Sequence, residues 1–384
     1  MTATFQRVTI AGVLVVAAVA APAARQAAQA SQETLLLAQG WAYLSGGDAN
    51  NAASVAGQLL AQYPLSSAGV SLAVEAELPR TGWLGALGVY EQWLGARRMD
   101  EPYALRRVAR ACLRQALGDL TTRPSALQAL IADGDQDALA EATRESARGK
   151  FGDTEALAAV GDDRAVRALV DQLESIPDAR GPIIEALARS RNKLAVPPLI
   201  KLLDATNDVT RAQAADALGQ LGATEVIGKL RPLLDEKQPY YVRFSAARAL
   251  GRLGDASGVL FLRQAMDTAA GAPGASLLRI QAAAALAAIG PDTGWIDTAR
   301  ALLSDPEPFV RAEAAQCLAP YDNAAAKATL DAMMNDPNPA IRQKAGQILA
   351  KNVAGDVATL RRLLRSADAE ARIVAAGRIL EITR

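Results

Sequence analysis

Histidine is absent from this sequence, cysteine occurs twice, and only 16 of its 384 residues are aromatic. Without histidine there is no Ser-His-Asp or Cys-His nucleophilic site, no imidazole metal ligand and no imidazole pH switch. Neither sign of charge is in excess. Lys and Arg total 41, as do Asp and Glu, so the basic surplus of a dedicated nucleic-acid binder is missing. What the chain has instead is alanine, 85 residues of it, within a hydrophobic content of 51%. Alanine has the best helix propensity and the smallest helix-forming side chain. A chain rich in it and poor in aromatics reads as many helices packed closely through small residues. The apolar content also argues against disorder.

Long hydrophobic runs are scarce too, apart from one at the start. Between Arg7 and Arg25 no residue is charged, and Val8 to Ala21 is almost continuously apolar. Ala28-Gln29-Ala30 then has the small-x-small form of a signal-peptidase site, with Ala18-Val19-Ala20 as another. A basic residue, an apolar core and a small-residue site make residues 1–30 a secretory signal peptide. The alternative is an uncleaved N-terminal membrane anchor. The uncharged stretch, broken by Pro22, falls short of the ~20 residues that a spanning helix needs. Cleavage removes two Arg and no acid, leaving a mature charge of 39 − 41 = −2. The expected location is periplasmic or secreted, with no stable membrane insertion after cleavage. Cys112 and Cys317 are far apart and each lies in a helical pattern, which points to two free, buried, unreactive thiols rather than a disulfide.

Internal repetition dominates the second half. Aligned on one arginine, the chain shows Arg180, Arg211, Arg243, Arg279, Arg311, Arg342 and Arg372, spaced 31, 32, 36, 32, 31 and 30 residues apart. Lys150 with Leu157 fits one period earlier in weaker form. Seven residues after each of these arginines stands a Leu, or Ile379 in the last case, and from Arg211 onward two small residues occupy the third and fourth places. A fixed period of this size marks stacked supersecondary units. Each unit reads as two helices. The first starts near the arginine and buries a stripe such as Val242, Ala246, Ala247, Leu250 and Leu253. In three repeats it ends eleven residues on, at Gly222, Gly254 or Gly290, where glycine supplies the left-handed closing turn. The partner helices are expected at Val196–Leu203, Val226–Leu234, Gly258–Met266, Trp295–Leu303, Ala326–Met333 and Val357–Leu364.

The pattern from Val242 to Gly254 (V-R-x-x-A-A-x-A-L-G-x-L-G) resembles HEAT repeats of the short, phycobilisome-lyase-like type, over about residues 150–384. The resemblance implies an α-solenoid whose arginine-bearing helices line the concave face. It also implies a structural arginine ladder, each arginine paired with acids of neighbouring repeats, and Asp305 and Asp336 are placed to serve Arg311 and Arg342. Pro232 resembles the proline kink of such partner helices. Arg180 departs from the pattern, because Gly181-Pro182 follows it.

The first half repeats differently. Gly40, Tyr43, Gly47, Ala52, Ala56 and Pro64 have a spacing similar to a tetratricopeptide unit, and residues 66–99 resemble a degenerate second unit with Ala86, Tyr90 and Trp93 in its second helix. The expected organisation is therefore a signal peptide at 1–30, a tetratricopeptide-like region at 31–148 and a HEAT-repeat solenoid at 149–384. The fold class is all-α. Residues 101–148 are helical in pattern but fit no repeat class.

Catalytic motifs are few and incomplete. Gly82, Gly85 and Gly88 mimic a glycine-rich loop, yet no strand precedes them. Asp133, Asp135 and Asp137 open like a calcium loop but lack its glycine and closing glutamate, and they fit a turn with a helix N-cap. No cofactor or metal is expected. What remains is a ribbon two, five and nine residues after the arginines: Gln213, Asp216, Gln220, Ser245, Arg248, Arg252, Gln281, Glu313, Gln316, Lys344, Gln347 and Lys351. It is polar and mixed in sign, which suits a protein or peptide partner better than a phosphate backbone. The reading is an exported, non-catalytic scaffold or adaptor in a bacterial envelope. The alternatives are a lyase-type HEAT enzyme or enzyme subunit acting on a chromophore or protein substrate, and, less favoured, nucleic-acid binding in a HEAT groove.

Overall fold

The computed structural model describes residues 32–95, 99–175, 180–267, 274–290, 294–352 and 356–384. The signal-peptide segment lies outside them. Among the described residues every regular element is helical, and no helix is long and apolar enough to cross a membrane. The chain divides into two compact units, one of residues 1–112 and one of 113–382. The division falls at Cys112, inside the helix that joins them.

The first unit holds α1 (32–45), α2 (Ala49–Gln62), α3 (Ser67–Leu94) and most of α4 (Pro102–Ala116). Local chemistry starts its helices. The Asp48 carboxylate accepts the Asn51 amide at the head of α2, and the Ser66 hydroxyl accepts that of Gly69 at the head of α3. Small residues then let the helices approach. Ala52 and Ala56 are fully buried, and a Cβ added at Gly40 would collide with Leu72. Ala56, Leu72 and Ala73 form a core against Leu37, Leu44, Leu60 and Val89. Helix α3 bends where Gly82 leaves helical geometry, at φ 75° and ψ −173°. The glycine triplet is thus a kink and not a phosphate loop. Tyr90, buried in the second half of α3, donates to Asp100 and accepts the Glu101 amide, both at 2.8 Å.

The second unit is built from alternating helices. The arginine-bearing set, in which Lys150 takes the arginine's place ahead of α7, comprises α5 (Arg123–Ala132), α7 (Phe151–Ala159), α9 (Arg180–Arg189), α11 (Asp208–Gln220), α13 (Tyr240–Arg252), α15 (Ala275–Ile289), α17 (Pro308–Leu318), α19 (Pro339–Asn352) and α21 (Ala369–Ile382). The partner set comprises α6 (Gln136–Ala147), α8 (Asp163–Ser175), α10 (Val196–Leu202), α12 (Ile227–Leu230), α14 (Val259–Met266), α16 (Ile296–Leu302), α18 (Asn323–Met333) and α20 (Val357–Leu364). The partner helices stand where the sequence places them. Pro232 ends α12 early, and Arg231–Leu234 continues as a 3-10 turn, because proline has no amide to donate. Gly222 and Gly254 close their helices at φ 69° and 79°, whereas Gly290 takes φ 152° and ψ 168° instead of a left-handed turn.

Helix α5 lies where the sequence reads as helical at Ser125–Ile131 without fitting a repeat class, and the structure makes it the first member of the arginine-bearing set. It begins at Arg123 and buries Ala126, Leu127 and Leu130, three, four and seven residues on. Residues 113–148 therefore fold with the repeats. Each arginine-bearing helix touches the next, and the ninth touches the first. At that last joint the Ser125 hydroxyl donates to Glu370 at 2.8 Å, and a Cβ at Gly377 would stand 3.2 Å from that of Ala129. Arg384 donates to the carbonyl of Ala132, at the end of α5. The second unit is a closed ring of helices. Its arginine-bearing layer is in contact all the way round, as the inner of two concentric layers must be.

The inner face of the ring

The arginine ladder is a set of helix ties. Arg211, Arg311, Arg342 and Arg372 each donate Nη1 to the carbonyl six residues back, on Ala205, Asp305, Asp336 and Ser366, at 2.8, 2.8, 2.7 and 2.6 Å. Arg123 does the same to Leu117 at 3.0 Å, while Arg243 and Arg279 reach the carbonyls of Leu234 and Met266. These carbonyls follow the ends of helices, where no helical amide remains to satisfy them. The expected pairing of Arg311 and Arg342 with the Asp305 and Asp336 side chains is corrected. Those carboxylates instead accept the amides of Glu307 and Asn338 within their own turns. At Arg211 one acid does join, Asp208 of the same helix. Four residues before Arg180 lie outside the described part.

The polar ribbon two, five and nine residues after the ladder faces away from the partner helices. Gln213, Gln220, Arg252, Gln281, Gln316 and Lys351 are exposed, Asp216, Arg248, Glu313, Lys344 and Gln347 are half-buried, and Ser245 is buried. Arg189 of α9 and Lys351 of α19 both lower the pKa of Glu370 on α21 electrostatically, although α9 and α21 are not neighbours in the ring. The face lines the inside of a closed ring of helices and is therefore concave.

Most of its charge cancels in place. Asp216 accepts the Ser245 hydroxyl at 2.8 Å and Arg248 through Nε at 2.8 Å and again through Nη2, a two-pronged ion pair. Glu313 meets Lys344 at 2.7 Å, and Glu155 meets Arg189. Arg252 is different. Burial, then the charge of Arg248, lowers its pKa, and only Asp216 opposes them. Its side chain reaches water inside a concavity, so protein surrounds it on several sides.

A hollow of about 360 Å³ opens between α9 and α11, lined by Glu185, Gln213, Asp216 and Gln220 over a floor of Gly181, Ala188 and Ala217. Gly181 and Pro182, where the repeat pattern is irregular, form part of its lining. A Cβ at Gly181 would come 3.3 Å from the Gln213 amide nitrogen. Sequence reasoning recorded the irregularity and missed the hollow.

Elsewhere, the first unit has a largely apolar cleft of about 840 Å³ among Leu60, Ala73, Val89 and Trp93, with Glu77 and Arg80 ion-paired beside it. Asp135 caps α6 through the Ala138 amide and binds Arg114 at 2.6 Å, so it works as a helix cap. Among the described residues no group of His, Cys, Asp or Glu is arranged to hold a metal. Cys112 and Cys317 form no disulfide, and burial pushes the Cys317 thiol up to about 12, leaving it protonated at neutral pH.

The HEAT-repeat profile matches residues 166–251, 196–273 and 272–350, so HEAT repeats occupy most of the ring. No curated protein matches the chain. Two solved structures are similar to it. One is human deoxyhypusine hydroxylase in complex with glycerol, 19% identical over 61% of this chain and 91% of that one, with a TM-score of 0.31. The other is an engineered protein, 24% identical over 60% and 96%, with a TM-score of 0.24.

Proposed function

We propose that the protein is an exported, non-catalytic scaffold that holds a peptide or protein segment along the inner face of its HEAT-repeat ring. The observation that carries the reading is the chemistry of that face. Glutamine amides alternate with ion pairs that cancel locally. Each amide offers one donor and one acceptor, which matches a peptide bond. A phosphate chain, by contrast, calls for a field of unpaired cations. The lack of histidine in the whole sequence favours holding over converting. Export rests on the apolar start of the chain, and a tetratricopeptide-like character of the first unit rests on the spacing of Gly40, Tyr43, Ala52, Ala56 and Pro64.

Photo-crosslinking residues placed singly at Gln220 and Gln281 are expected to capture a polypeptide in cells. The same residues at Glu225 and Lys229, exposed around α12, are expected to capture little. Equal capture from both sets overturns the assignment of the inner face. Signal cleavage is read from the N-terminus of the mature protein, which is expected to begin at Ser31.

A further inference from the structure

The ion pairs of the inner face leave one guanidinium over. Asp216 has both oxygens engaged by Arg248 and Ser245, and Glu313 and Glu155 are taken by Lys344 and Arg189. Lys351, an ammonium in the last turn of α19, also has no ion pair among the described residues and acts on Glu370 only electrostatically, as Asp216 acts on Arg252. Among the described residues no carboxylate lies within ion-pair distance of Arg252. It stands in the last turn of α13, where the negative end of the helix tolerates a cation. One turn away is the like charge of Arg248, and Asp216, one helix over, borders the Gly181 hollow. A face that pairs most of its charges and leaves a guanidinium facing into a concavity is complementary to an anion brought from outside. Guanidinium presents paired donors in a fork that fits a carboxylate.

We infer that Arg252 is the docking point for a carboxylate side chain of the bound polypeptide, with the neighbouring residue of that ligand seated in the hollow between α9 and α11. The ligand is an extended, acidic segment. This rests on the inner-face reading above and narrows it. One isolated carboxylate contact per ligand is assigned, rather than a field for polyanions. The remaining amides are left to the main chain of the segment.

The test uses the full mature chain and three fluorescein-labelled peptides of alternating Ser and Glu, Ser and Gln, or Ser and Lys, with an oligo-dT strand as competitor. Fluorescence anisotropy is expected to rank Glu above Gln above Lys, with Glu favoured over Gln roughly tenfold, the worth of one charge-assisted contact. Arg252→Gln is expected to bring the Glu:Gln ratio to about one. Arg252→Lys keeps part of the preference, and Lys229→Gln keeps all of it. Circular dichroism confirms that each variant folds. A Glu preference that survives Arg252→Gln overturns the inference and leaves the inner-face reading standing. Failure of all three peptides to bind overturns both. Arg252-dependent binding of oligo-dT that displaces every peptide overturns the inference in favour of a nucleic acid.

Discussion

The two units are made of the same material in different ways. In the ring, equivalent positions do similar work again and again, and seven of its nine inner helices carry the arginine tie. An arginine ties the preceding turn, small residues bring helices together, and a polar ribbon is left facing inward. In the first unit no two helices solve packing alike. One bends at Gly82, and another is held by the hydroxyl of Tyr90. Repetition spreads stability over many similar joints, whereas the irregular unit concentrates it in single contacts. The comparison has a direct energetic form, and three experiments bear on it.

The largest effect is expected at Arg123. This side chain is 11% exposed and donates to Asp153, itself 2% exposed, as well as to Glu141 and the Leu117 carbonyl. Arg123→Ala leaves the Asp153 carboxylate buried and unpaired, a loss of about 3–5 kcal/mol. Its counterpart in the first unit, Arg107 with Glu75, is more open at 37% and 13%. Arg107→Ala is expected to cost only about 1 kcal/mol. Urea denaturation of both variants measures the difference, and equal losses would erase the contrast between units.

Next comes close packing. A Cβ at Gly219 would meet the backbone of Ala249 at 2.7 Å, in the joint between α11 and α13, and the backbone has little freedom to yield. Gly219→Val is expected to cost about 3 kcal/mol. In the first unit a Cβ at Gly57 meets nothing within 4 Å, so Gly57→Ala is expected to stabilise by about 0.5–1 kcal/mol. Thermal melts of the pair would sharpen the comparison, and a stabilising Gly219→Val would break it.

The smallest effect is at the joint that closes the ring. Burial, then the charge of Asp368, raises the pKa of Glu370, while Ser125, Lys351 and Arg189 oppose the rise. A carboxyl whose folded pKa is raised gives stability that is complete below its ordinary value near 4.5 and is lost as pH rises through the folded value. Hydrogen exchange in α21 should therefore quicken on raising pH through that range, relative to Glu370→Gln measured at each pH. A disulfide between Ala129→Cys and Gly377→Cys, whose Cβ separation approaches the usual bridge geometry, should remove the response. No difference between wild type and Glu370→Gln would mean that the joint does not feel this proton.

Much of the ring was legible beforehand because its signal is multiplied. Arginine, small pair and leucine recur with a period near 31, and that repetition outweighs any one ambiguous position. The pattern failed where the repeats are weakest. Arg123, followed by Pro124, starts a helix that buries Ala126, Leu127 and Leu130, and Lys150 stands in for the next arginine. One substituted ladder position was enough to hide the first repeat. The role of the ladder was read from the right residues with the wrong acceptor. Sequence spacing brings Asp305 within reach of Arg311 but does not distinguish its carboxylate from its carbonyl. The turn makes that choice, because the carboxylate is already needed by the Glu307 amide. The candidate site divides in the same way. Every ribbon residue was named from helical register, yet Asp216 and Arg248 belong to neighbouring repeats and their pairing appears only in three dimensions.

By itself the sequence determined that the chain is helical, that its second part is a stack, and which face of each helix stays polar. Those follow from propensity and period, which are local properties. Closure of the stack into a ring, the hollow at Gly181 and the isolation of Arg252 were decided by tertiary structure. Each depends on residues tens to hundreds of positions apart meeting through the accumulated turn between repeats. No single repeat encodes that sum.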